Sequence, residues 1–176
     1  MSGSGKRFVV IVRAGENSLH RNWAGNGGGR NWDLVVSWFG AEPYVPVGDE
    51  LVLTQKGWKW DVLAEQLNEH PELLQRYDYF WMVDDDIDIA AQDIDRLFEP
   101  TAQHGLAVSQ PALTVDSYFS HMHTIRCPSF TLRYTSVVEV MAPCLSRATL
   151  KAMLPLMPLS PSGFGLDFIW SRLEPD

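Results

Sequence analysis

Residues 79–88 read YFWMVDDDID, an apolar and aromatic run that ends abruptly in four carboxylates within five positions. A run of this composition, with no polar side chain to turn toward water, suits a buried strand. Asp84, Asp85 and Asp86 then emerge at its carboxyl end, which is where open α/β sheets bind ligands. In extended backbone, residues two apart share a face, so Asp84 and Asp86 can point at one spot. Two hard oxygen donors on one side suit Mg²⁺ or Mn²⁺, which keep their other positions for water and substrate phosphate. The plainer reading makes the aspartates solvent-exposed caps of a following helix around Ile89–Phe98.

The rest of the chain is long enough to bury such a strand. Its 176 residues suit one domain with a sizeable core, and a hydrophobic fraction of 45% with seven tryptophans argues against disorder. A net charge of −8 argues against a broad nucleic-acid surface. An anionic nucleotide is still compatible with that charge if a divalent cation bridges the two. No apolar run is long enough to span a bilayer. The opening MSGSGKRFVVIV is too short in its apolar part for a secretory signal. Cys127 and Cys144 give neither metal spacing nor a disulfide framework, so reduced thiols in a cytoplasmic protein are expected.

Residues 1–7 read as a flexible leader and 8–176 as a single domain. Strands are expected at Phe8–Arg13, Asp33–Phe39, Glu50–Thr54, Tyr79–Val83 and Gly105–Gln110, with Thr131–Met141 also extended. Helical spacing covers Trp58–Gln75, interrupted by Pro71, and then Asp88–Gln103, with short helices at Ala148–Leu154 and after GFG. Strands alternating with helices imply an α/β sandwich around a mainly parallel mixed sheet. The glycine-rich loop GNGGGRN (residues 25–31) lacks the lysine and hydroxyl of a Walker loop and the spacing of a dinucleotide fingerprint. It reads as a surface segment.

Four stretches in order, YDYFWMVDDDIDI, GLAVSQPAL, VVEVMAPCLSR and GFGLDF, resemble the family known as domain of unknown function 707. The resemblance spans residues 7–173. It implies the GT-A-like, Rossmann-like αβα sandwich of nucleotide-sugar-dependent glycosyltransferases. By that resemblance, Asp84 and Asp86 would hold Mn²⁺ or Mg²⁺ on the donor diphosphate, and Asp85 would lie close to the donor ribose or sugar. The end of the first strand, Arg13-Ala14-Gly15, would receive the nucleotide, with Arg13 against the base or ribose or else in a structural ion pair. Asp167 would deprotonate the acceptor hydroxyl, or else sit as a first-turn aspartate favoured by the helix dipole.

Other residues are read on their own chemistry. Lys56 can meet a phosphate or stay solvated. Trp58 and Trp60 can stack on a sugar or join the core. Ser109 and Gln110, ending a strand, can hydrogen-bond the acceptor or donor sugar. Glu139 sits in an apolar run, so it either meets Arg126 or Arg133 or faces the site. Asp33 opens a strand and suits a turn or cap. His121 and His123 alternate, a spacing for metal on a strand that lacks a third ligand. The family pattern continues past GLD to a further strand and a metal-binding histidine, and no histidine follows His123. Two expectations stay open: a C-terminally shortened domain that a partner chain or oligomer would complete, or a metal held by the aspartates, donor and water alone. Three functions compete: a glycosyltransferase using a UDP- or GDP-linked donor with a glycan or small-molecule acceptor, a GT-A-like domain that binds without transferring, and a metal-dependent phosphohydrolase. The last is disfavoured because Arg13-Ala14-Gly15 stands where such enzymes carry a nucleophilic aspartate.

Overall fold

The computed structural model describes residues 6–23 and 29–173. Residues 1–5 of the expected leader at 1–7, and residues 25–28 of the glycine-rich loop at 25–31, lie outside them. The described chain forms six strands: β1 (Phe8–Ala14), β2 (Trp32–Trp38), β3 (Leu51–Thr54), β4 (Tyr79–Asp84), β5 (Val108–Ser109) and β6 (Cys144–Ser146). Helices are α1 (His20–Trp23), α2 (Lys59–Glu69), α3 (Pro71–Arg76), α4 (Ala91–Gln103), α5 (Arg147–Met153) and α6 (Leu166–Trp170). They pack around one mixed sheet of order β3-β2-β1-β4-β6-β5. The first four strands are parallel, and β6 and β5 add an antiparallel edge.

Alternation along the strands divides the core into two layers. Val9, Ile11, Phe80 and Met82 face α2, α3, α5 and α6, where Leu63, Leu67, Leu73, Leu150 and Trp170 are buried. Val10, Val12, Trp81 and Val83 face α4, against Ile94, Leu97 and Phe98. Covering both faces is why β1 and β4 need unbroken apolar runs. Pro71 separates α2 from α3 as its missing N–H requires: His70 donates to Gln66 O and Pro71 opens the next helix. No helix among the described residues is long and apolar enough to cross a membrane.

Several expectations change. The strand expected at Gly105–Gln110 is only Val108–Ser109, and Thr131–Met141 is loop, because no neighbouring strand offers it a ladder. The paired segment is the next one, Cys144–Ser146, too short to carry a pattern. Asp33 is no cap. It lies inside β2, buried, with Lys6 at 3.3 Å, Arg76 at 2.7 Å and the Tyr77 hydroxyl donating at 2.7 Å. That bond and burial push the Tyr77 pKa up, and the network joins β2 to the end of α3.

Candidate functional site

The sheet order makes the site's position a consequence of topology. The chain runs outward through β1, β2 and β3, then returns to place β4 on the other side of β1. The connections leave β1 and β4 in opposite directions, which opens a crevice at their carboxyl ends. Arg13 and Asp84 are register partners at that edge.

Arg13 is 5% exposed. Its guanidinium donates to Ser37 O at 3.3 Å, Ser37 Oγ at 3.1 Å and Gly57 O at 3.0 Å, and stacks 5.1 Å from the Phe39 ring centroid. Its Nε is buried without a hydrogen-bond partner, and among the described residues no carboxylate forms a salt bridge with it. A structural ion pair is therefore not its role here. Burial lowers its pKa. A buried cation lacking a counterion is costly, and an anionic ligand would offset that cost.

The aspartate triplet is divided among three tasks. Asp84 ends β4, and its Oδ1 accepts from Lys59 Nζ at 2.5 Å, which also donates to Met82 O at 3.2 Å. Lys59 is the first residue of α2, and its side chain is 15% exposed. Burial draws its pKa down, against the pull of Asp84, Asp85 and Asp86. Asp85 lies in the following turn, where its Oδ2 accepts from Gly15 N at 3.1 Å and its carbonyl from Leu19 N at 2.7 Å. Burial raises its pKa, partly countered by the Gly15 N–H. A methyl at Gly15 would come within 2.8 Å of the Phe39 ring, which would have to shift to admit it. Asp86 is exposed. None of the three caps α4, whose N-cap is Ala90 with no side-chain bond.

Two carboxylates, Asp84 and Asp86, remain as possible holders of a divalent cation. Lys59 already takes one oxygen of Asp84. Among the described residues no group of three or more His, Cys, Asp or Glu side chains is placed to hold a metal. The donor set thus suits only a cation that keeps several waters and substrate oxygens, as Mg²⁺ and Mn²⁺ do.

The turn after β1 is fastened by a neutral histidine. Tyr44 donates to Glu50 Oε1 at 3.0 Å, so its oxygen accepts from His20 Nε2 at 3.0 Å, and His20 Nδ1 accepts from Ser18 Oγ at 2.6 Å. Burial lowers the His20 pKa from 6.5 to about 4. Between those values the unfolded chain holds a proton that the folded chain refuses, so stability falls as pH falls. The His20 contribution to unfolding free energy should be flat above pH ~6.5 and drop by roughly 3 kcal/mol toward pH ~4. Denaturant titrations of wild type and His20→Gln across that range check this, and the variant should lose the slope.

The sequence model of the family described as "Protein of unknown function (DUF707)" matches residues 51–173, more than half of the chain. The chain belongs to that family. No curated protein matches it. The DUF707 match takes in Lys59, the aspartate triplet and Asp167, and leaves β1 and β2, with Arg13 and Gly15, outside it.

The remaining candidate residues of the DUF707 chain are spread over several elements. Trp58 precedes α2 and is 66% exposed, so it is not core, whereas Trp60 is buried 5.8 Å from Trp170. Lys56 donates to Gly40 O at 2.9 Å and to Phe39 O, which fastens the loop behind Arg13. Asp167 lies in the first turn of α6, its Oδ1 accepting from Phe168 N at 3.1 Å. Its helix reaches the site through the Trp170–Trp60 contact, one residue from Lys59.

Glu139 meets neither Arg126 nor Arg133. It is buried and accepts from Thr124 Oγ1 at 2.8 Å, His121 N at 3.3 Å and Ser120 N at 3.4 Å. Gln110 Oε1 accepts from Glu139 N at 2.6 Å, and Ser109 Oγ is 2.8 Å from Thr101 Oγ1. These three residues organise the loop between β5 and β6. His121 caps a 3₁₀ turn at Met122–Thr124 and His123 lies inside it, with the two rings stacked 5.3 Å apart, an arrangement that is not a strand. Lys59 is the site residue that sequence reasoning passed over. Its signal was a lone lysine between Trp58 and Trp60 at a helix start, where long stems bury beside aromatic rings.

Proposed function

We propose that this chain is a metal-dependent glycosyltransferase that moves a sugar from a UDP- or GDP-linked donor to a hydroxyl of a glycan or small-molecule acceptor. The observation that carries this reading is the buried Arg13 guanidinium, without a carboxylate partner although Asp84 is its register neighbour, at the topological switch point. Arg13 and Lys59 offer positive charge to a diphosphate. Asp84 and Asp86 would hold Mn²⁺ or Mg²⁺, which supplies neutralisation of the charge the leaving diphosphate gains. Asp85, held by the Gly15 N–H, fixes the turn that receives the nucleotide. Asp167 would take the proton of the acceptor hydroxyl, and exposed Trp58 would stack on a sugar ring. A binding domain without transfer is the second reading, favoured by the hold of Lys59 on Asp84 Oδ1.

Release of nucleoside diphosphate from a panel of UDP- and GDP-sugars with Mn²⁺ tests the choice. Transfer predicts slow donor hydrolysis that Asp167→Asn abolishes while nucleotide binding survives. Donors that bind with no release, in wild type as in Asp167→Asn, would leave the binding domain as the answer.

A further inference from the structure

Away from the aspartates, the long loop between β5 and β6 forms a half-open cavity of about 180 Å³ against β5. Its charge is opposite to that of the chain. Arg126, Arg133 and His123 line it, and none of its lining residues is acidic, in a protein of net charge −8. Arg133 donates to His123 O at 2.8 Å and Ile125 O at 2.5 Å, which ties the loop into a ring around the cavity. No side-chain bond holds the Arg126 guanidinium among the described residues, and neither arginine has a carboxylate in a salt bridge. Glu139, next to the wall residue Val138, spends its oxygens on Thr124, His121 and Ser120. The Nε2 of His123 is buried with no partner. The rest of the wall mixes apolar side chains, among them Leu106, Val108, Phe130 and Val137, with the hydroxyls of Thr124, Thr131 and Thr135.

We propose that this cavity is a binding site for a small aromatic carboxylate. Its volume slightly exceeds the ~150 Å³ of an engineered apolar cavity that admits benzene, so one six-membered ring fits. The apolar wall accepts the ring. Arg126 supplies the planar pair of donors that matches a carboxylate, and Arg133 adds a second positive charge. A hydroxyl on the ring would give the unpartnered His123 Nε2 a partner. Ser109 and Gln110 border the same cavity. The site stands apart from the sugar-transfer reading, and its test needs neither nucleotide nor metal.

The chain carries its own reporter. Cys127 lines the cavity and is partly exposed, whereas Cys144 is fully buried and burial pushes its thiol up to about 12. Native alkylation therefore reads Cys127. Calorimetry with 4-hydroxybenzoate should show saturable binding, with 4-hydroxybenzyl alcohol and glucuronate at least about tenfold weaker. Arg126→Gln, a change at an exposed side chain, should weaken 4-hydroxybenzoate about tenfold, and the ligand should slow Cys127 alkylation in wild type. Equal binding of the neutral alcohol or of glucuronate, an unchanged Arg126→Gln affinity, or unprotected Cys127 would each overturn the proposal.

Discussion

Asp84→Ala should abolish metal-dependent binding of UDP or GDP and reduce donor turnover by at least about a hundredfold, the scale of removing one group that stabilises developing charge. Asp84 carries two functions in this account: it is the strand-end member of the proposed cation pair and the counterion of Lys59. Losing it leaves the ammonium buried without its partner. The pair is partly in water, with side chains 15% and 39% exposed, so the stability cost should be small, about 1 kcal/mol. Lys59→Met in the Asp84→Ala background removes the orphaned charge and should restore stability without restoring nucleotide binding. Titrating Mn²⁺ and UDP into the single and double variants separates the two functions. An Asp84→Ala protein that binds Mn²⁺–UDP as wild type does would remove the triplet from the site.

Gly163→Ala should be the most damaging small substitution in the chain. Gly163 has φ +79°, a region that side chains rarely adopt, and an added methyl would lie 2.2 Å from Trp60 Nε1 and 2.8 Å from Val140 Cγ2. Trp60, the nearer neighbour, has no room to retreat. Trp60 is 1% exposed and packed on Trp170, whose Nε1 donates to Val138 O at 3.0 Å. Left-handed backbone costs about 1–2 kcal/mol and overpacking about 1–3 kcal/mol, for a sum of roughly 3 kcal/mol. At this chain length that lowers Tm by roughly 10 °C. Gly165→Ala is the internal control, because φ is +92° there but nothing lies within 4 Å. It should cost only the backbone part, about 1–2 kcal/mol. Differential scanning calorimetry of the two variants decides, and equal losses would show that the Trp60 contact is not the cause. The same knot sets the place of Asp167, so Gly163→Ala should also impair turnover.

What the sequence made legible follows from pattern length. FVVIV and YFWMV are long enough for their composition to demand burial on both faces, so β1, β4 and the sandwich were readable. So were the break at Pro71 and the position of the aspartates at a strand end. Three-residue β6 and four-residue α1 are shorter than any period that could announce them. The 131–141 stretch has strand composition, but a strand needs a neighbour, and neighbours are fixed by the fold. Pairing between charges was equally hidden. Asp84 and Lys59 are far apart in sequence and meet only because the end of β4 and the start of α2 share an edge. Glu139 found hydroxyl and backbone donors where an arginine or the site was expected, because the loop folded its own amides inward.

The central claim is that the β1–β4 edge binds a nucleoside diphosphate through a buried arginine and a bridging cation. Thermal unfolding of wild type and Arg13→Met with UDP and GDP, each with and without Mn²⁺, tests it most directly. Ligand at about a hundred times its Kd should stabilise the wild-type chain by roughly 2.7 kcal/mol. The account predicts a rise in Tm of several degrees with one of the two nucleotides, dependent on Mn²⁺ and lost in Arg13→Met. No shift with either nucleotide, with or without the metal, would contradict it.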